Sequence, residues 1–137
     1  MNAVVTGAGT GIGRAIALRL AADGHSLGLL ARNVDALDAT AESARKAGAP
    51  TVHTAACDIR DRAAVDRTMG ALSDAMGGLN CLVANSGVGG PNADGPNDRF
   101  DDLVQTNLMG TYYCARAAQR HFSTGEHPRH IVAIAVS

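Results

Sequence analysis

Thr6-Gly7-Ala8-Gly9-Thr10-Gly11-Ile12-Gly13 is the stretch on which the reading of this sequence turns. Four glycines between Gly7 and Gly13 carry a backbone entropy cost that a plain turn need not incur. Upstream, Asn2 to Val5 is a short apolar run. Downstream from Gly11, Ile12, Ile16 and Leu20 recur four apart and share one helical face. The order is strand, glycine turn, helix. Backbone N–H groups at such a helix start, with no side chains in the way, can receive a phosphate group, and Gly13 lets the helix pack closely on a sheet.

Gly24 ends the first helix and Ser26 to Ala31 reads as a second strand whose apolar residues run in succession, as in a strand covered on both faces. Arg32-Asn33 closes it. Val34 to Lys46 is alanine-rich and charged at helical spacing, Gly48-Ala49-Pro50 stops it, and Thr51 to Ala56 gives a β-branched third strand. Asp58 and Asp61 open a helix that runs through Met76, Gly77-Gly78 breaks it, and Leu79 to Ala84 is the fourth strand. A glycine-rich loop follows from Ser86 to Asn97. Asp98 or Asp101 starts a long helix to about Phe122, and His130 to Val136 reads as a fifth strand. Strand and helix in alternation predict an α/β fold: one parallel sheet with helices on both faces and right-handed crossovers.

The chain of 137 residues has the length of one domain, 1–137, with a real core. Its thirteen acidic and twelve basic residues leave a net charge of −1 without long runs of one sign, which argues against a nucleic-acid or anionic-membrane partner. The longest apolar stretches, such as Leu27 to Ala31 and Ile131 to Val136, fall far short of the roughly 20 residues of a membrane helix. Met1 to Thr6 does not resemble a secretory signal. A soluble, cytoplasmic protein is expected. Cys57, Cys81 and Cys114 are too widely and irregularly spaced for a disulfide framework or a CxxC metal site and read as buried free thiols. His121, His127 and His130 lack a well-spaced carboxylate or cysteine and read as surface histidines, so no metal site is expected.

Four motifs occur in order: Thr6-Gly-x-x-x-Gly11-Ile12-Gly13, Cys57-Asp58-Ile59 at the end of the third strand, Leu82-Val83-Ala84-Asn85-Ser86-Gly87 after the fourth, and Thr106-Asn107 within the long helix. In this combination the chain resembles the short-chain dehydrogenase/reductase family along essentially its whole length. The resemblance implies a Rossmann-like, doubly wound sheet of five strands in the order 3-2-1-4-5. It also implies a dinucleotide site: Gly7, Thr10, Gly11, Ile12 and Gly13 around the pyrophosphate, Asp58 on the adenine amino group, Ile59 on or beside the adenine ring, and Asn85 and Gly87 along the adenosine ribose. One departure is Ala84-Asn85-Ser86-Gly87, where the family usually has two asparagines before Ala-Gly. Each residue also has a plainer reading. Asp58 could cap the helix that begins near Asp61, Asn85 could be a turn residue, and Asn107 a surface amide.

At the end of the second strand, an acidic side chain would accept both ribose hydroxyl protons of NAD and repel the extra phosphate of NADP. That position is Ala31, and its neighbour Arg32 suits a 2′-phosphate, so NADP(H) is expected over NAD(H). An ordinary solvated arginine is the alternative. Family members transfer hydride between the nicotinamide and an alcohol or carbonyl substrate. Their catalytic set is a tyrosine and lysine in Tyr-x-x-x-Lys, a serine and an asparagine. Asn107 matches the asparagine. Ungapped counting places the serine at Val136, and a one-residue insertion between Ser123 and Arg129 would make it Ser137. Tyr112, Tyr113 and Lys46 do not form the tyrosine–lysine motif. The expectation is therefore a C-terminally truncated, cofactor-binding part that is inactive alone and incomplete relative to the family, with association through the long helix 98–122. The competing reading is a non-catalytic dinucleotide-binding or regulatory protein derived from the family.

Overall fold

The structure, a computed structural model, describes residues 1–89 and 92–135. Five parallel strands, β1 (Asn2–Thr6), β2 (Ser26–Ala31), β3 (Val52–Ala56), β4 (Cys81–Ala84) and β5 (His130–Ala133), form one sheet in the order β3-β2-β1-β4-β5. This is the doubly wound arrangement that the alternating sequence pattern and the family resemblance imply. β5 stops at Ala133, short of the expected strand end, and Val136 lies outside the described residues.

Successive side chains of a strand point to opposite faces, and the strands here carry apolar residues at both parities. Ala3, Val5, Leu27, Leu29, Cys81 and Val83 join one core, with Ala17 and Ala21 of α1 (Gly11–Ala22) and Leu37, Ala41 and Ala44 of α2 (Val34–Ala47). Val4, Leu30, Leu82 and Ala84 enter the other, with Val65, Met69 and Leu72 of α3 (Arg62–Met76). Cys114, Ala117 and Ala118 of α5 (Thr111–His121) complete it. One strand set thus feeds two cores, and the helices sort onto the two faces.

Two expectations about helices need correction. The face of α1 turned to the sheet is Gly13, Ala17 and Ala21, whereas Ile12 is 63% exposed and Ile16 and Leu20 only flank the core. Small residues hold that face because the helix lies too close for larger ones: a Cβ on Gly13 would collide with the Gly7 carbonyl. The long helix is also not uniform. It runs as α4 (Phe100–Leu103), a π-helical segment (Val104–Gly110) and α5. Among the described residues no helix is long and apolar enough to cross a membrane.

The three cysteines are buried free thiols. Of His121, His127 and His130, only His127 lies in a loop. His130 belongs to β5, and His121 ends α5 with its ring packed on Gly70 and its Nε2 buried. Among the described residues no three His, Cys, Asp or Glu side chains come together as metal ligands.

Candidate functional site

The carboxyl ends of β1 and β4 are tied by one side chain. Thr6 is 1% exposed, and its hydroxyl accepts hydrogen bonds from the backbone N–H groups of Asn85 and Ser86, both at 3.0 Å. The Asn85 side chain donates back to the Gly7 carbonyl at 3.4 Å. Gly7 has φ +63°, and a Cβ there would stand 3.0 to 3.2 Å from Asn85 and the Ser86 backbone. A bare, left-handed residue is needed for the two loops to approach this closely.

The turn then opens onto the start of α1. Gly11 has φ +56°, and a Cβ on it would meet nothing within 4 Å, so its glycine serves backbone direction and leaves space above the helix. Helices α2 and α3 are capped conventionally: Asn33 accepts from the Ala36 N–H at 3.0 Å and Asp61 from the Ala64 N–H at 3.1 Å. Thr10, at the same position of α1, makes no side-chain cap bond, and the first turn holds no acidic residue. The N–H groups and positive dipole end of α1 therefore face an open space with no side-chain acceptor or carboxylate supplied by the helix itself. That combination fits a pyrophosphate.

Beside this turn lies a cleft at the carboxyl ends of β2, β3 and β4, lined by Gly7, Ala31, Arg32, Asp58, Ile59 and Gly87, with Cys57, Ser86 and Thr106 also on its wall. It opens where the chain's crossovers diverge on the two sides of β1, the usual ligand position in such sheets. Arg32 is exposed, and among the described residues it forms no ion pair. Asp58 does not cap α3, since Asp61 does. Its carboxylate accepts from the Arg60 guanidinium and the Arg60 N–H, and these hydrogen bonds hold its carboxyl below the usual carboxylate range, helped by the charges of Arg60 and Arg32. Ile59 is 5% exposed and backs onto Gly110, where a Cβ would lie 2.6 Å from its Cδ1.

A second cleft adjoins the first and is lined by Ser86, Gly87, Asn107, Thr111, Ile134 and Ala135. Asn107 sits in the π-helical segment. Its Oδ1 accepts from the Val88 N–H and its Nδ2 donates to the Val88 carbonyl, both at 2.8 Å, so one amide pairs with the backbone of the β4 loop like a neighbouring strand. The tyrosines are elsewhere: the Arg62 guanidinium lies 5.8 Å from the Tyr112 ring centroid and 5.4 Å from that of Tyr113. Lys46 pairs with Glu42 on α2 at 3.1 Å. Ser137 lies outside the described residues.

With this geometry in view, the sequence matches the family described as short chain dehydrogenase over residues 1–137. The chain belongs to the short-chain dehydrogenase family. It is 38% identical over 124 residues to a sorbose reductase of Schizosaccharomyces pombe, covering 87% of this chain and 48% of that protein. An NAD+-bound xylitol dehydrogenase superposes with a TM-score of 0.85 at 31% identity, covering 96% of this chain and 51% of that one. An NADPH-bound actinorhodin polyketide ketoreductase superposes at 0.80 and 30%, covering 87% and 46%. The chain spans about half the length of the curated relatives it matches.

For this short-chain dehydrogenase chain, the fold gathers Gly7, Gly87, Arg32, Asp58 and Ile59 around one cleft, and Asn107 around the next. Sequence reading gave Thr6 no role beyond the motif, although a hydroxyl at the end of an otherwise apolar strand was a visible signal. Arg60 and Gly110 carry no such signal. Their partners lie far away in sequence and no spacing rule connects them.

Proposed function

We propose that residues 1–137 act as one dinucleotide-binding domain of a cytoplasmic, NADP(H)-preferring oxidoreductase acting on an alcohol or carbonyl substrate, and that these residues alone are catalytically silent. The observation that carries the reading is the uncapped, glycine-opened start of α1 beside a cleft bearing Arg32, which among the described residues forms no ion pair, at the end of β2. Gly7, Thr10, Gly11, Ile12 and Gly13 would surround the pyrophosphate, Asp58 would take the adenine amino group, Ile59 would back the ring, and Asn85 and Gly87 would border the ribose. NADP(H) supplies or accepts a hydride when bound; the chain's own residues bind and orient it. Asn107 would keep the β4 loop in place through Val88 while its remaining amide N–H and lone pair face the second cleft.

Preference for NADP(H) rests on Arg32 beside Ala31, because a planar cation suits a 2′-phosphate and no carboxylate of β2 opposes it. Family structures include complexes with either cofactor, so the residue at this position carries the choice. Titration calorimetry should give a dissociation constant for NADPH at least about tenfold below that for NADH, an ordinary margin for one charge-assisted contact. Arg32→Ala should raise the NADPH value to near that for NADH and leave the latter within about twofold. Equal affinities in the unmutated protein overturn the preference.

A second reading is a dinucleotide-binding protein without chemistry; within residues 1–137 both tyrosines stand with Arg62, and Lys46 pairs with Glu42 on α2. Hydride transfer by the 137-residue chain would exclude it. The long helix leaves Phe100, Leu108 and Tyr112 exposed at 62%, 63% and 45%, which supports self-association through that helix. Leu108→Glu should lower the sedimentation mass if that surface is used.

A further inference from the structure

Arg60 lines the nucleotide cleft and has no part in the reading above. Its Nε stands 3.1 Å from both oxygens of Asp58, its Nη2 2.7 Å from Oδ2, and its own backbone N–H donates to Oδ1 at 3.0 Å. The other edge of the guanidinium points away from β3: Nη1 reaches Oδ1 of Asp102 on α4 at 3.2 Å. That same Asp102 oxygen accepts from the Thr106 hydroxyl at 3.5 Å, and Thr106 lines the cleft. Arg60 therefore bridges the end of β3 to the long helix beside the cleft.

The bridge conflicts with the role given to Asp58. A carboxylate has about four lone-pair sites, and Arg60 directs three N–H groups at them: its backbone N–H at Oδ1, an Nη2–H at Oδ2 and the Nε–H shared between both oxygens. A purine amino group aimed at Asp58 meets acceptors that are already engaged. The obstacle is movable, since the two side chains are 42% and 37% exposed and pairs this wet separate at small cost. Asp102 offers the displaced guanidinium a second carboxylate on the far side.

We propose that Arg60 is a latch on the purine-reading carboxylate and so a specificity-determining residue of the cofactor cleft. Closed, it holds Asp58 and Asp102 together. Open, it remains on Asp102 and releases the Asp58 oxygens to a purine 6-amino group. A purine with a 6-oxo group has the opposite need, because its carbonyl oxygen would face a bare carboxylate. The closed Arg60 covers that carboxylate, and the Nη1 and Nη2 N–H groups it does not direct at Asp58 or Asp102 are left to donate to the carbonyl. The latch thus lowers affinity for adenine dinucleotides and tolerates hypoxanthine ones. This inference rests on the proposal that Asp58 faces the purine.

The test compares dissociation constants of NADPH and of its hypoxanthine counterpart, in which the 6-amino group is replaced by oxygen, for the unmutated protein and for Arg60→Met. Methionine keeps the apolar stem and removes the donors. The latch predicts that NADPH binds about threefold to fivefold tighter to the variant, the range expected for freeing one partly exposed ion pair, and that the hypoxanthine dinucleotide binds more weakly. Simple loss of a cation near an anionic ligand would weaken both together. Parallel weakening, or an unchanged ratio of the two constants, overturns the latch while leaving the dinucleotide reading intact. Failure of the unmutated protein to bind either dinucleotide overturns both.

Discussion

Thr6 shows how one hydroxyl can set the spacing of a site. It is buried, it accepts two backbone N–H groups of the β4 loop, and no other hydroxyl of the β1 turn reaches them. Thr6→Val keeps the shape and leaves the Asn85 and Ser86 N–H groups without that acceptor. The stability lost should be about 1 kcal/mol, the lower end of the penalty for orphaning donors because both N–H groups are only part-buried, read from urea unfolding midpoints, whereas Thr6→Ser should recover most of it. Retention of full stability by the valine variant would mean that the loop finds another acceptor. Asn107 makes the reciprocal case. Its place in the pattern after Thr106 was legible in the sequence, but its pairing with Val88, nineteen positions away, exists only once the long helix lies across the β4 loop. Arg60 is further still from legibility, since Asp102 is forty-two positions distant.

At the level of elements, strands and helices were largely readable because each carries its own period. β2 falls on Ser26–Ala31 as its apolar run indicates, and α2 on Val34–Ala47, one residue past the expected end. The departures lie where packing overrules period. The face of α1 is one: its bulky residues form the visible stripe, yet the sheet is reached by Gly13, Ala17 and Ala21. The π-helical segment is the other. A wider turn shifts the register between α4 and α5, and segments of this kind are rare and cluster at functional sites. It ends at Gly110, whose missing side chain admits Ile59 from the wall of the cleft at the carboxyl ends of β2, β3 and β4. Gly110→Ala would put a methyl 2.6 and 2.8 Å from two Ile59 carbons. Overpacking of about 1–3 kcal/mol should exceed the helix-propensity gain of about 1 kcal/mol, so a lower thermal midpoint is expected. Weaker NADPH binding should accompany it as Ile59 is pushed into the cleft. A stabilised variant with unchanged affinity would show that the helix can shift at no cost.

Across the whole molecule, each of the two cores holds buried thiols, and burial pushes their pKa values up from the ordinary 9.0. Cys114 is raised to about 12 by desolvation, with a smaller contribution from Cys57, and Cys57 and Cys81 are raised mainly by the same cause. The folded chain therefore keeps protons that the unfolded chain gives up above pH 9. Stability is fully present below pH 9 and falls as pH rises from there towards 12. A urea midpoint lower at pH 10 than at pH 8 is expected, together with slow thiol labelling of the native protein and reaction of all three cysteines after unfolding. Rapid native labelling at pH 8 would contradict the burial. β5 is the exception to this enclosure. All four of its residues are exposed, Ile131 and Val132 at 41% and 46%, though strands of parallel sheets are normally covered on both faces.

The α/β alternation, the glycine turn at the first strand–helix junction, the family and the candidate nucleotide residues can all be read along the chain. Those features reside in local period, in backbone freedom and in short motifs that neighbours along the chain define together. Folding fixes the rest: which face of α1 meets the sheet, that Thr6 and Asn107 tie loops distant in sequence, that Gly110 admits Ile59, and that Arg60 stands between Asp58 and Asp102. Each of these depends on the distance between elements, which is set by close packing of the two cores and leaves no periodic trace in the chain.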